Sequence, residues 1–327
     1  MSSFRRQRAF RKQQAGVALI TAVLIVALAT ILAVSVGFKG YLGQRRSATT
    51  FALDQAYEVA LGGEAWASDA LRRDAMDSTS TTDDFTDVWA TPIPPLPVDG
   101  GEFEGSLEDM QGRFNINNLV KLDQATRSFV IDPKAVERLE RLLNILEIET
   151  KWAKLIADFI DADTNPEFPD GAEDPVYTGL TPPYRTPNMP VTRTSELLAV
   201  AGFGQDRYRR LEPFIAALPA GTPINLCTAP PAVLDSLSAR QRQYTLAVAS
   251  TRKQRETGCF PDLQAFQAQL SPTEKTEMTT GMVLGETSSY FQSTIFVTIG
   301  TTQFTLYSLL YRQNGKVRPT LRSFGTP

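Results

Sequence analysis

With 327 residues, 42% of them hydrophobic, the chain has the composition of a globular protein and room for two domains beyond any anchor. Its formal net charge of -3 speaks against nucleic acid as a partner, because that contact needs clustered Lys and Arg. There is no His, which excludes Ser-His-Asp and Cys-His catalysis and every His-bearing metal site, and no Gly-x-Ser-x-Gly nucleophile motif occurs.

The first element is an uncharged apolar run over residues 17–38. At ~1.5 Å of rise per residue, the run covers the roughly 30 Å hydrocarbon core of a bilayer. Arg5, Arg6, Arg8, Arg11 and Lys12 lie just before it, so the positive-inside bias leaves the N-terminus in the cytoplasm and projects the remainder outward. Apolar positions continue as Ala48, Phe51, Ala52, Ala56, Tyr57 and Ala60. They predict one long helix, its first half in the membrane and its second half lying on a soluble domain. Three readings compete for the run: an ordinary single-span anchor, a secretory signal peptide cut near Ala27-Leu28-Ala29, and a leader cut after Gly16 that leaves the helix in place. The run continues past Ala29 to Phe38, further than a signal core needs.

Basic leader, Gly16 and an immediately following uncharged helix together resemble the type IV pilin and pseudopilin group. That resemblance implies cleavage between Gly16 and Val17 by a prepilin peptidase, and methylation of the new Val17 amine. Such subunits usually carry Glu as the fifth residue after the cut, where it partners a neighbour's amine; here that residue is Thr21. An unpaired carboxylate at that depth costs roughly 2.5–3.5 kcal/mol. Its absence suggests a subunit with no neighbour to pair on that side, which within the group resembles the minor pseudopilin K of type II secretion systems.

Cys227 and Cys259 both fall on the outer side of the span, where an even pair favours a disulfide; two buried thiols are the alternative. Residues 74–101 are rich in Ser, Thr, Asp and Pro, including Pro92-Ile-Pro-Pro-Leu-Pro97, and predict a surface connection. Segments 103–109 and 113–117, separated by Met110-Gln-Gly112, predict the two strands of a hairpin. Asp132-Pro133 then reads as an N-cap followed by proline at the first helical position, with Val136, Leu139, Leu143 and Leu146 on one face. Trp152, Leu155, Ile156, Phe159 and Ile160 mark a second helix, and these stripes are core rather than a ligand box. Further helical units are expected over 195–204, 206–214 and 233–249, the last with Thr228 as its N-cap. Short helices around Gly turns also fit a helix-hairpin-helix DNA binder, but the turns lack a basic frame, and a compact SAM-like helical module is favoured. Strands return at 290–299, 303–313 and 316–324, with Asn314-Gly315 as a hairpin turn.

The expected fold is α+β: a long N-terminal transmembrane helix, an antiparallel sheet, and a large all-helical domain inserted between sheet strands. Asp109-Met-Gln-Gly-Arg-Phe-Asn-Ile-Asn-Asn118, Ile160-Asp-Ala-Asp163 with Gly171-Ala-Glu-Asp174, and Ile224-Asn-Leu-Cys-Thr-Ala-Pro-Pro231 carry the resemblance to the K family across most of the chain. Domains are accordingly drawn as leader 1–16, helix 17–73, linker and first strands 74–118, inserted helical domain 119–285 and closing strands 286–327.

One cluster carries chemistry. Residues 161–174 hold six acidic side chains, with no Lys or Arg between Lys154 and Arg185. Crowded carboxylates raise one another's pKa unless they are solvated or bridged by a cation, and oxygen-only ligands suit calcium. Asp161, Asp163 and Asn165 imitate the start of an EF-hand loop, but Pro166 stands where the turn needs Gly and Ala172 where the bidentate Glu belongs. The resemblance implies calcium in the helical domain, on Asp161, Asp163, Glu173 and Asp174; a solvated acidic loop is the alternative. Paired carboxylates also serve glycoside hydrolysis, but nothing near them suggests a sugar cleft.

The resemblance implies a non-enzymatic minor pseudopilin in the inner membrane, N-terminus cytoplasmic and soluble domain periplasmic. It would cap the pseudopilus tip and help initiate assembly for export of folded proteins. The implied partners are I-like and J-like minor pseudopilins, the prepilin peptidase and the membrane itself. Thr21, Phe51 and Tyr57 are the expected assembly positions. The alternative is a membrane-anchored periplasmic binding module or enzyme.

Overall fold

A computed structural model describes residues 4–76, 81–238, 242–281 and 284–325, without side chains for 4–16 and 277–281. Residues 1–3 of the expected leader and 77–80 of the expected connection lie outside the described residues.

Helix α1 (Phe4–Asp74) runs unbroken for 71 residues, about 105 Å at the α-helical rise. From residue 17 to 38 every side chain is exposed, and this stretch is long and apolar enough to cross a membrane. Both of its threonine hydroxyls are satisfied within the helix: Thr21 donates to the Ala18 carbonyl at 3.0 Å and Thr30 to that of Val26 at 2.8 Å. Internal bonding of this kind is what an apolar surrounding requires. The second half lies on a sheet through Ala56, Ala60, Ala67 and Leu71, packed against Phe291, Ile295, Val297, Leu306 and Leu310. Small residues let the helix approach closely, and a Cβ at Gly63 would press into the Ile295 side chain.

Strands β1 (Ile93–Val98) and β2 (Gly101–Asp109) precede the insertion. Inside it lie the short pieces β3 (Phe114–Asn115), β4 (Val120–Leu122) and β5 (Phe129–Ile131), then helices α2 (Pro133–Ile145), α3 (Trp152–Ile160), α4 (Asp174–Tyr177) and α5 (Gln205–Leu211). After β6 (Ile215–Ala216) and β7 (Ile224–Asn225) come α6 (Pro231–Leu237), α7 (Gln243–Leu246), α8 (Val248–Arg255), α9 (Leu263–Ala268) and α10 (Pro272–Gly281). Piece β8 (Leu284–Gly285) leads back to β9 (Tyr290–Ile299), β10 (Thr302–Gln313) and β11 (Lys316–Phe324). The main sheet has order β1-β2-β9-β10-β11 and is antiparallel throughout. Strand β9 turns Phe291, Ser293, Ile295, Val297 and Ile299 inward in strict alternation, as a sheet with one buried face requires. Asn314 and Gly315 both take positive φ (52° and 68°) at the expected β10–β11 turn.

Four expectations are corrected. The proline-rich segment 92–97 is not merely a connection, because it contributes edge strand β1, where Pro94, Pro95 and Pro97 need not donate to a further neighbour. Segments 103–109 and 113–117 do not form a hairpin. Strand β2 pairs instead with β1 and β9, while Phe114–Asn115 pairs in parallel with Ile215–Ala216. The cause is a 3-10 turn at Met110–Gly112: Asp109 accepts from the Gln111 amide at 2.8 Å, and Gln111 donates to the Pro223 carbonyl and accepts from the Ser289 amide. The expected single helix over 233–249 is broken into α6, α7 and α8, with residues 239–241 outside the described set. Asp235 accepts from the Tyr244 amide and from the Thr245 amide and hydroxyl, turning the chain into α7. Finally, Pro230 rather than Thr228 is the N-cap of α6, because the Thr228 hydroxyl donates inward to Asp109 at 2.6 Å. The insertion is thus helical apart from short ladders, around its own core of Leu139, Leu142, Leu143, Ile156, Phe159, Phe203 and Leu234.

Candidate functional site

Asp132 does cap α2, accepting from the Lys134 amide at 3.1 Å. Behind it, α3 buries Trp152, Ile156, Phe159 and Ile160, and the same packing carries Asp158 into the interior and leaves Asp161 at the helix C-cap. The chain loops out and returns at Glu173, the N-cap of α4. Asp158, Asp161 and Glu173 are all buried, and Asp158 Oδ1, Asp161 Oδ1 and Glu173 Oε1 have no hydrogen-bond partner. The other oxygen of Asp158 accepts from the Glu167 amide at 3.0 Å, and that of Glu173 from the Thr186 hydroxyl at 3.2 Å.

Burial pushes these carboxyls up: Asp161 to about 7, with repulsion from Asp163 and Glu173 adding to the effect, and Asp158 to about 6 against hydrogen bonds from the Glu167 and Ala172 amides. Burial likewise takes Glu173 to about 7 against the Thr186 hydrogen bond. Asp161 opens onto a cavity of about 460 Å³ shared with Asp163, Glu167 and Lys154. Buried acceptors left without donors are rare, and buried carboxylates without a counter-charge are costly. Three such oxygens on hard donors fit a hard cation such as calcium.

Of the four expected ligands, the fold brings Asp161 and Glu173 into this set. Asp163 lies exposed on the loop, its Oδ1 accepting from the amide and side chain of Asn165. Asp174 is turned toward Thr186, which donates to it at 3.1 and 3.2 Å, and toward Arg185 at 3.7 Å. Asp158 was missed. It sits three residues before Asp161 on one helix, so the signal was an acidic residue inside the apolar stripe of α3.

Asp74, Asp83 and Asp87 form a tighter group, with oxygens within 4.8 Å of one another. Arg312 already compensates it, donating to Asp74 at 2.7 Å and to Asp83. Lack of a partner, rather than proximity, therefore distinguishes the inserted domain.

The remaining expected sites are spread along the molecule. Helix α1 passes through Gly16 and Val17 without a break. Phe51 is 74% exposed, whereas Tyr57 sits edge-on to Phe304 and Phe324 at 6.1 and 6.0 Å. Cys227 and Cys259 are joined in a disulfide.

A family model described as type II secretion system protein K matches residues 112–220. The chain is similar to the type II secretion system protein K of Pseudomonas aeruginosa, with 34% identity over 96% of this chain and 94% of that protein. It is also similar to that of Pectobacterium carotovorum, with 33% identity over 96% and 98% of the two chains. In fold it resembles a chain in the crystal structure of the GspK-GspI-GspJ complex from the enterotoxigenic Escherichia coli type 2 secretion system. That likeness has a TM-score of 0.74 and 24% identity, and covers 86% of this chain and 100% of the other.

Proposed function

This chain belongs to the type II secretion system protein K family, and we propose that it works as the minor pseudopilin that caps the pseudopilus tip. The observation carrying the reading is the large insertion between β2 and β9 of an otherwise slender helix-and-sheet body. A body of that shape stacks along its helix, and the inserted domain obstructs a further subunit above it. The exposed apolar half of α1 anchors the chain by a single pass in the inner membrane and packs among other pilin-like helices. The basic residues before Val17 favour a cytoplasmic N-terminus and a periplasmic soluble domain. The complex in which the structural relative was crystallised supports I-like and J-like subunits as partners.

Thr21 replaces the carboxylate that would meet the amine of a subunit above, and its hydroxyl is used within its own helix. After cleavage behind Gly16 the Val17 amine stays available to a carboxylate from below. In the inserted domain Asp158, Asp161 and Glu173, with Asp163 and Asp174 beside them, would hold calcium, which supplies the positive charge their buried oxygens lack. No chemical step is assigned to the protein, and its role is assembly for export.

Labelling the protein within assembled filaments tests the reading. Label confined to one end is expected; label spread evenly along the length sinks the tip role. N-terminal sequencing should begin at Val17, and a start at Met1 or Thr30 removes the leader reading.

A further inference from the structure

Arg255 ends α8 and is only 7% exposed. Its Nε donates to the Phe260 carbonyl at 2.7 Å, and its Nη2 to those of Leu226 at 3.1 Å and Ala229 at 2.6 Å. These carbonyls border Cys227 and Cys259, so one guanidinium ties together both ends of the disulfide-linked segment. Every acceptor is neutral. Among the described residues no carboxylate pairs with Arg255, and Nη1 donates to nothing. Burial accordingly pulls its pKa down to about 10. Arginine is almost never this buried without an acidic partner.

The guanidinium borders a cavity of about 380 Å³, within the range that holds a small ligand or a large side chain. Phe85, Pro231 and Val248 give it apolar walls, while Arg252 and Arg255 against Glu256 leave it net positive. The Phe85 ring lies 5.8 Å from the Arg255 guanidinium carbon, and Phe85 and Val248 are 49% and 46% exposed. Phe85 belongs to the segment joining α1 to the sheet and Val248 to the inserted domain, so the cavity opens at the seam between the two.

We propose that this cavity binds a carboxylate carried beside an aromatic or branched apolar side chain on a partner polypeptide. The carboxylate accepts from Arg255 Nη1, supplying the counter-charge that the chain itself lacks, and the apolar group fills the wall of Phe85, Pro231 and Val248. The choice of a polypeptide rests on the assembly role proposed above, and the net positive lining selects an acidic group on it.

Calorimetric titration of the full chain in lipid nanodiscs tests the site without any secretion apparatus, so its failure leaves the assembly role standing. The probes are acetyl-phenylalanyl-aspartyl amide, its asparaginyl counterpart and 3-phenylpropionate. The aspartyl probe should bind at least about tenfold more tightly than the asparaginyl one, as a charge-assisted bond requires. Val248→Trp should fill the cavity and remove binding while leaving the melting temperature unchanged, because it touches none of the Arg255 bonds. Arg255→Met should also lose binding; where it fails to fold, Val248→Trp decides. Equal affinity for the two peptides, no binding by either, or wild-type affinity in Val248→Trp overturns the site. Tighter binding of 3-phenylpropionate than of the aspartyl peptide overturns the polypeptide as occupant.

Discussion

The helix-and-sheet body and the inserted domain treat buried charge in opposite ways. In the body, Glu64 on α1 receives Arg322 through two nitrogens at 2.8 and 2.7 Å and the hydroxyl of Ser308. Burial pushes its carboxyl up, yet those hydrogen bonds and the Arg322 charge hold it below the usual range. Arg312 on β10 bridges Asp74 and Asp83 and donates to the Ser288 carbonyl at 2.8 Å. Even Asp109, fully buried, is met by Thr228, Ser288, Asn225 and the Gln111 amide. The inserted domain instead leaves one oxygen each of Asp158, Asp161 and Glu173 without a donor. The body meets its buried carboxylates with donors from its own sequence, whereas three carboxylate oxygens in the insertion have none.

The largest effect that would test this contrast is removal of the body's internal cation. Arg312→Met leaves Asp74 and Asp83 buried without compensation, and should cost about 3–5 kcal/mol in denaturant unfolding. The loss should shrink toward pH 5, because burial has already raised Asp74 to about 6 and it then becomes neutral. A cost under about 1 kcal/mol would show that the body does not depend on internal pairing.

Removal of calcium is the matching experiment on the other side. At a hundredfold excess over its dissociation constant, an ion bound only by the folded chain adds about 2.7 kcal/mol. Chelation should therefore lower the melting temperature of the wild type, and far less that of an Asp161→Ala, Asp163→Ala double variant. An unchanged wild-type melting curve, or a double variant with the full calcium response, would return the loop to simple solvation.

The contrast was only half legible in the sequence. Periodicity is local, so α2, α3, the β9–β11 meander and the Asn314-Gly315 turn were readable, as was the crowding of acidic residues over 161–174. The partners of Glu64 and Arg312 were not, because they lie 258 and 229 residues apart along the chain from Arg322 and Asp83 respectively. The false hairpin has the same origin: β2 finds β9, far along the chain, in preference to the segment beside it. Asp158 was hidden among the buried apolar positions of its helix, and spacing alone does not reveal that Asp163 turns an oxygen to Asn165. Arg255 gave no signal, since its acceptors are backbone carbonyls, which sequence does not distinguish.

The smallest effect is the sharpest, because it is one of sign. The Asp161 carboxyl rises to about 7 in the folded chain, against about 3.9 unfolded. Between those values the folded chain binds more protons, so without calcium the contribution of this group falls as pH rises from about 4 to about 7. Glu64 behaves in reverse: its folded pKa is lowered, so its contribution is present above the unfolded value near 4.3 and is lost as pH falls below it. At pH 8 with chelator, Asp161→Asn should therefore stabilise the protein by on the order of 1 kcal/mol, because it removes a buried charge that nothing meets. Glu64→Gln should destabilise it by about 1–3 kcal/mol, because it strips Arg322 of its acceptor. Added calcium should turn the Asp161→Asn effect into a loss and leave Glu64→Gln unaltered. Thermal unfolding of both variants with and without the ion reads all four values. An Asp161→Asn protein less stable than wild type at pH 8 in chelator would mean that its carboxylate is already satisfied within the chain, and the two regions would no longer differ.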